Sequence, residues 1–121
     1  MPIRLDTLAT LRERGYRLAI LSNWDRRLRG ILDGLGISPF FEELIISSEI
    51  GFEKPDARIF ETAQKRMGVS GGKILHVGDS PYHDLEGCRP MGWHCLLVEH
   101  GADAIHEGRV RTLQEILKIL P

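Results

Sequence analysis

The chain has 121 residues, of which 42% are hydrophobic and 27% are charged, and this composition is typical of one folded domain rather than of a disordered segment. Sixteen basic and seventeen acidic side chains leave a formal net charge of -1. That balance gives no electrostatic reason to expect nucleic acid or an anionic membrane surface as a partner. The sequence therefore predicts a single domain over residues 1–121.

Signals that direct a protein into or across a membrane are not visible in the sequence. The longest apolar runs, such as 18–21 and 96–98, are far too short to span a bilayer. The first residues also contain no basic segment that leads into an apolar run. Cys88 and Cys95 form neither a disulfide framework nor a paired metal motif, so we expect two small buried side chains in a reduced, cytoplasmic protein.

Amphipathic helical patterns recur along the chain. The first predicted helix runs from Asp6 to about Arg14 and the second ends at Gly36. The third begins at 55–56 and ends at Gly68, and a short one includes Leu85, Cys88 and Met91. The last begins with a capping box of Thr112 and Glu115. In the second helix the spacing of Leu28, Ile31, Leu32 and Leu35 predicts that all four side chains face the core.

Short apolar runs lie between these helices and predict strands at 17–21, 43–47, 73–77 and 95–98. The run 17–21 is nearly continuous in apolar residues, which predicts a strand buried on both faces. Residues 100–111 are expected to form a surface loop. Strands that alternate with helices indicate an α/β fold, a doubly wound parallel sheet with helices on both faces.

Binding sites in such sheets lie at the carboxyl ends of the strands, where this chain places many of its polar residues. A hydroxyl, an amine and two carboxylates at one edge suit a phosphate-like anion and a divalent cation. Each residue alone also has an ordinary explanation, since Ser22 or Asp25 can cap a helix and Asp79 can belong to a turn. The polar residues that follow the strands are Ser22, Asn23, Trp24, Asp25, Ser47, Ser48, Glu49, Lys54, Asp79, Ser80, Asp84, Glu99 and His100.

Three segments of the chain resemble motifs of the haloacid dehalogenase (HAD) superfamily of hydrolases, in its capped, phosphatase-like subfamily. LAILSN (18–23) looks like the second motif, SSEIGFEKPDARIF (47–60) like the third, and HVGDSPYHDLEGC (76–88) like the fourth. The resemblance implies a HAD-like Rossmannoid core with Ser22 and Lys54 as catalytic residues. It implies that Ser22, Asn23 and Lys54 bind phosphate, and that Asp79 and Asp84 hold Mg²⁺.

The first motif of that superfamily, D-x-D-x-T/V, has no match in these 121 residues. In the superfamily it supplies the aspartate nucleophile and the acid that protonates the leaving group. The nearest string begins at Asp6 but has Leu8 where the second aspartate should stand. We therefore expect a core that is truncated at its N-terminus, without a cap or a nucleophilic aspartate. Water on a metal at Asp79 and Asp84, or Asp25 as a substitute base, would be the remaining routes.

Two functions follow as hypotheses. The first is a phosphatase-type HAD-like hydrolase with weak or altered activity toward a small phosphorylated molecule and with weakly bound Mg²⁺. The second is a non-catalytic HAD-like protein that binds an anion, a metal or a protein partner. The missing central strand would leave the strands at 17–21 and 73–77 each with an unpaired edge. Because such edges pair directly or recruit another chain, we also expect a homodimer.

Overall fold

Parallel strands dominate the computed structural model, which describes residues 5–99 and 109–121. In one sheet, β1 (Ala19–Ser22) pairs with β2 (Glu43–Ile46), with Ala19 opposite Glu43. The other sheet has the order β3-β4-β5 and consists of β3 (Leu75–Gly78), β4 (His94–Val98) and β5 (Arg109–Val110). Every pair of neighbouring strands is parallel, which confirms the predicted α/β class.

The helices lie between the strands in sequence. The α-helices are α1 (Leu5–Glu13), α2 (Arg27–Gly34), α3 (Ser47–Ile50), α4 (Ala57–Met67) and α5 (Glu86–Cys88). Short 3₁₀ segments occupy Ser38–Phe40, Gly71–Lys73, Arg89–Met91 and Leu113–Lys118, and Pro81–Leu85 forms a π-type turn. Within the described ranges, none of these elements has the length and apolar composition that crossing a bilayer requires.

Local signals fix the ends of the longest helix, α4. The side chain of Asp56 accepts a hydrogen bond from the backbone N–H of Arg58 and so caps the first turn. Gly68 ends the helix in the left-handed conformation with φ of 66°, a region that glycine enters without steric cost. Ile59, Phe60 and Ala63 face inward as predicted, and they form the largest apolar cluster together with Ile45, Cys88 and Trp93.

Three predictions from the sequence are wrong. Two concern the burial of side chains, and one concerns a segment that was expected to be loop. In β1, Ala19 is exposed and Ile20 is only half-buried, so this strand is not buried on both faces. In α2, Leu32 is buried and Leu28 is half-buried, but Ile31 and Leu35 are 44% and 64% exposed. Residues 109–110 are not loop, because β5 pairs with the end of β4; residues 100–108 lie outside the described ranges.

The two sheets meet at an open position between β1 and β3. Among the described residues, β1 is hydrogen-bonded to β2 alone and β3 to β4 alone, so each strand has one unpaired edge. β1 and β3 are therefore edge strands, whose unpaired backbone groups face a neighbouring position in the sheet.

Candidate functional site

Lys54 lies between the ends of β1 and β3. The side chain of Asn23, the residue after β1, accepts the backbone N–H of Lys54 at 2.8 Å and donates to its carbonyl at 3.1 Å. The ammonium group of Lys54 donates to Oδ1 of Asp84 at 2.6 Å. Asn23 therefore holds the main chain of Lys54 in place, and Asp84 holds its ammonium group.

Asp84 is the most enclosed acidic group of this cluster, with only 3% of its side chain exposed. Besides Lys54, its Oδ1 contacts Nε2 of His76 at 2.8 Å, and its Oδ2 accepts the N–H of Ser80 at 3.1 Å. Burial opposes ionisation of this carboxyl, but the hydrogen bonds from His76 and Lys54 outweigh burial. The pKa of Asp84 consequently lies well below its ordinary value, and the group is a carboxylate.

Glycine at the end of β3 makes room for this carboxylate. A Cβ added at Gly78 would lie 2.2 Å from the carboxyl carbon of Asp84 and 2.4 Å from its Oδ2. Ser80 caps the π-type turn that follows, because its hydroxyl accepts the N–H of His83 at 3.0 Å. The turn folds Asp84 back under the end of β3, and only glycine at position 78 permits that approach.

The two remaining residues that were expected at the site lie at the strand ends. Ser22 is the last residue of β1 and is half-buried. Asp79 directly follows β3 and is exposed, and no hydrogen bond or ion pair joins its side chain to another described residue. Ser22 and Asp79 thus lie at the carboxyl ends of the two edge strands.

The carboxylates present match only part of the coordination sphere of Mg²⁺. This ion prefers six oxygen ligands in octahedral geometry. Asp79 offers a free carboxylate, whereas both oxygens of Asp84 are already engaged by Lys54, His76 and Ser80. Across residues 5–99 and 109–121, no three His, Cys, Asp or Glu side chains converge on one point. The donor set therefore suits a weakly held ion that takes most of its ligands from water or from a bound phosphate.

Other candidates from the sequence are not part of this cluster. Asp25 accepts the N–H of Arg27 at 2.9 Å, so it caps the start of α2, and its pKa is lowered by the Arg27 side chain. Glu49 binds the guanidinium of Arg29 at 2.7 Å. The remaining members are also occupied or lie elsewhere: Ser47 donates to the carbonyl of Trp24, Glu99 pairs with Arg109, and His100 lies outside the described residues.

His76 is a member of the cluster that the sequence did not reveal. Its position inside a strand indicates packing, and the ring does contact Phe60 and Trp93 edge-on. Its Nε2, however, reaches the carboxylate of Asp84, eight residues further along the chain. A polar residue that alternates inward on a strand next to an acidic turn is the signal that could have indicated this pair.

The assembled residues can hold a phosphate group. Lys54 provides a positive charge, Ser22 a hydroxyl, and Asp79 a carboxylate for a bridging cation, all at the end of the sheet where ligands bind in α/β folds. None of these side chains is placed as an attacking carboxylate. The arrangement supports binding of an anion and a cation more directly than it supports covalent chemistry.

Comparison with known proteins agrees with the family resemblance found in the sequence. The family model of the haloacid dehalogenase-like hydrolases matches residues 2–92. Human haloacid dehalogenase-like hydrolase domain-containing protein 3 is 45% identical over 93 residues, which are 77% of this chain and 37% of that protein. The crystal structure of a HAD phosphatase from Thermococcus onnurineus matches with a TM-score of 0.88 and 30% identity, over 98% of this chain and 57% of that one.

A second similar structure was solved with bound magnesium. The putative HAD-hydrolase YfnB from Bacillus subtilis, bound to magnesium, matches with a TM-score of 0.83 and 26% identity, over 94% of this chain and 52% of its own. The chain spans between about one third and three fifths of the length of these relatives. The family model covers most of the chain, and this chain therefore belongs to the haloacid dehalogenase-like hydrolases.

Proposed function

We propose that these 121 residues form the phosphate- and metal-binding half of a phosphatase site. Ser22 and Lys54 hold the oxygens of a phosphate ester, with Asn23 positioning Lys54. Asp79 holds Mg²⁺, and Asp84 binds the ammonium group of Lys54. The observation that carries this proposal is the position of Lys54, fixed between the ends of β1 and β3 by Asn23 and Asp84.

Charge balance supports a role for Lys54 toward an anion. The side chain of Lys54 is 12% exposed, and its ammonium group shares the carboxylate of Asp84 with His76. Asp84 therefore orients the ammonium group without enclosing it. A phosphate that approaches from the side of Ser22 gains a charge-assisted hydrogen bond from Lys54 in a partly desolvated setting, where such bonds are strong.

The metal part of the proposal depends on Asp79. Its exposed carboxylate lies at the end of β3, where a cation could bridge it to a phosphate oxygen. When bound, Mg²⁺ would neutralise charge that develops on the phosphoryl oxygens. Because both oxygens of Asp84 are already engaged, most of the coordination sphere is left to water, so we expect weak binding.

Turnover requires more than these residues supply. Phosphoryl transfer through an enzyme-bound intermediate needs a carboxylate in line with the bond that breaks, and an acid for the leaving group. The sequence of the 121 residues contains no D-x-D-x-T/V segment. Residues that act as a catalytic unit lose nearly all of their effect when one member is missing. The chain as given should therefore bind phosphate and Mg²⁺ but hydrolyse an aryl phosphate at a rate many orders below that of a complete enzyme.

An NMR titration with inorganic phosphate tests the binding site. In the wild-type chain, the amide signals of Ser22, Lys54 and Asp79 should shift together, and Ser22→Ala and Lys54→Ala should each weaken binding about tenfold or more. Lys73→Ala is the matched control, because Lys73 is exposed and precedes the opposite, amino end of β3. Equal affinity in all four proteins would contradict the proposed site.

An activity assay tests the second part of the proposal. Hydrolysis of an aryl phosphate at an ordinary enzymatic rate, roughly 1–10³ s⁻¹, with complete loss in Lys54→Ala, would contradict the expectation that these residues only bind. Under the alternative hypothesis of a non-catalytic binding protein, neither the wild type nor Lys54→Ala hydrolyses the substrate above the uncatalysed rate.

We also propose that the chain forms a homodimer. The support is the open position between β1 and β3, where each strand has an unpaired edge among the described residues. The exposed side chains of Ile31 and Leu35 add apolar surface on α2, the helix that follows β1 in the sequence. Such edges and patches favour association with another chain. Light scattering over a dilution series should show a dimer that dissociates on dilution, and a folded monomer at every concentration would refute this proposal.

A further inference from the structure

Two thiols meet behind the Asp84 cluster. Cys88 ends α5 and is completely buried, whereas Cys95 lies in β4 and is half-buried. The Sγ atom of Cys88 lies 3.9 Å from the carbonyl of Trp93 and 3.6 Å from that of His94, the two residues that precede Cys95. The Sγ atom of Cys95 lies 4.0 Å from the carbonyl of Asp84, one helical turn before Cys88.

The Cys88 thiol thus lies against the backbone directly before Cys95, and the Cys95 thiol lies against the backbone one helical turn before Cys88. The nearby Cys95 thiol, together with burial, raises the pKa of Cys88 above its ordinary value. The six residues between the two cysteines in sequence join a helix to a strand. The contact of Cys88 with the backbone before Cys95 depends on how the end of α5 lies against the start of β4, and no sequence motif indicates it.

We propose that Cys88 and Cys95 are a modification site that closes reversibly into an intramolecular disulfide when the chain meets a small organic disulfide. Transient disulfides of this kind are the form in which thiol pairs operate in reducing compartments. The difference in burial sets the order of events: Cys95, which is half-buried, reacts before Cys88, which is completely buried.

The chemistry is two successive thiol–disulfide exchanges. The thiol of Cys95 loses its proton to water, and the thiolate attacks one sulfur of the reagent, so that the reagent's sulfur–sulfur bond breaks and one small thiol leaves. The thiol of Cys88 then loses its proton and attacks Sγ of Cys95, which expels the second small thiol. Two electrons pass from the protein to the reagent, and one disulfide plus two protein thiols become one protein disulfide plus two small thiols.

The bond would lie close to the candidate site. In the reduced chain the Cys95 thiol donates to the carbonyl of Asp84, and a disulfide removes that donor. It would also tie the end of α5 to β4, directly behind the turn that carries Asp84. The proposal itself concerns the thiol pair alone, so it stands or fails independently of phosphate or metal binding.

Mass spectrometry of the native chain after incubation with oxidised 2-mercaptoethanol tests the proposal. The wild type should lose two hydrogen atoms and carry no adduct, and peptide mapping should link Cys88 to Cys95. Dithiothreitol should restore the original mass. Cys88→Ala should retain one mercaptoethanol adduct on Cys95, because no second thiol displaces it. Cys95→Ala should remain unmodified until urea exposes Cys88.

Several results would overturn the proposal. These are stable adducts on both cysteines of the wild type, a disulfide between two chains, or no reaction of the wild type where Cys88→Ala is modified. An absence of reaction in all three proteins would overturn it too. Far-UV circular dichroism confirms that each variant is folded. If Cys88→Ala does not fold, the mapped link in the wild-type chain decides the question alone.

Discussion

Replacement of Asp84 by asparagine should destabilise the chain strongly. The substitution keeps the size of the side chain but removes the charge that Lys54 contacts at 2.6 Å and His76 at 2.8 Å. The ammonium group of Lys54, with 12% of its side chain exposed, would then lack a partner. Breaking one side of a buried ion pair costs about 3–5 kcal/mol in the free energy of unfolding. A domain of this size has only about 5–15 kcal/mol in total.

Urea unfolding measures this loss. For a slope of about 2 kcal/mol/M, a loss of about 4 kcal/mol moves the midpoint down by roughly 2 M. Lys54→Met should cost less, because Asp84 keeps its hydrogen bonds with His76 and with the N–H of Ser80. The double variant should lose less than the sum of the two single losses, by about 0.5–3 kcal/mol.

An exposed ion pair provides the control. Glu42 contacts Arg17 at 2.7 Å, but the two side chains are 46% and 50% exposed. Glu42→Gln should therefore cost at most about 1 kcal/mol, since water screens the pair. If Asp84→Asn is no more destabilising than Glu42→Gln, the buried cluster does not hold the ends of β1 and β3 together, and this reasoning is refuted.

Three further predictions concern pH, backbone space and the exposed face of α2. The pKa of Asp84 is lowered in the folded chain, so its contribution to stability is fully present above the unfolded value of about 3.9 and is lost as the pH falls through the folded value. In urea unfolding, the wild type should therefore lose more stability between pH 7 and pH 3 than Asp84→Asn does. Equal losses in the two proteins would contradict this prediction. Gly78→Ala should cost roughly 1–3 kcal/mol because the new Cβ meets the Asp84 carboxyl at 2.2 Å, whereas Gly72→Ala, which meets nothing within 4 Å, should be nearly neutral by the same measurement. Phe60→Ala should cost about 3–5 kcal/mol because Phe60 is fully buried. Leu35 is 64% exposed within one chain, so Leu35→Ala should cost less than about 0.5 kcal/mol at concentrations where the proposed dimer has dissociated, and a large loss there would contradict this.

Apolar periodicity and capping residues predicted most of the fold from the sequence. The capping side chain of Asp56 and the glycine at position 68 bound α4 where expected, and the capping box of Thr112 and Glu115 opens the last helical segment. That segment is 3₁₀ rather than α-helical. These features are local, because a cap or a turn depends on a few consecutive residues.

Burial was harder to predict because it depends on neighbours that are distant in sequence. The spacing of Leu28, Ile31, Leu32 and Leu35 describes a continuous apolar face, yet the fold covers chiefly Leu32. The apolar run of β1 similarly describes a central strand, whereas β1 stands at the edge of its sheet. A sequence pattern states which side chains favour burial, but it does not state whether a partner surface is present.

The candidate site was predicted in part. Strand ends and motif spacing indicated Ser22, Lys54, Asp79 and Asp84. The structure sets Ser22 at the end of β1, Lys54 in the segment after β2 and α3, and Asp79 and Asp84 in the segment after β3. The sequence did not indicate the contact of His76 with Asp84. It also did not indicate the hydrogen bond between Asn23 and Lys54. Both depend on side-chain directions that only the packing of the two sheets determines.

Titration of Mg²⁺ into the chain, followed by NMR, tests the proposed site most directly. The proposal predicts weak, saturable shifts of the amide signals around Asp79 and Asp84 in the wild type, and loss of those shifts in Asp79→Asn. Asp33→Asn, which changes an exposed acid on α2, should respond as the wild type does. Identical shifts in the wild type and in Asp79→Asn would contradict the assignment of Asp79 as a metal ligand and with it the proposed binding site.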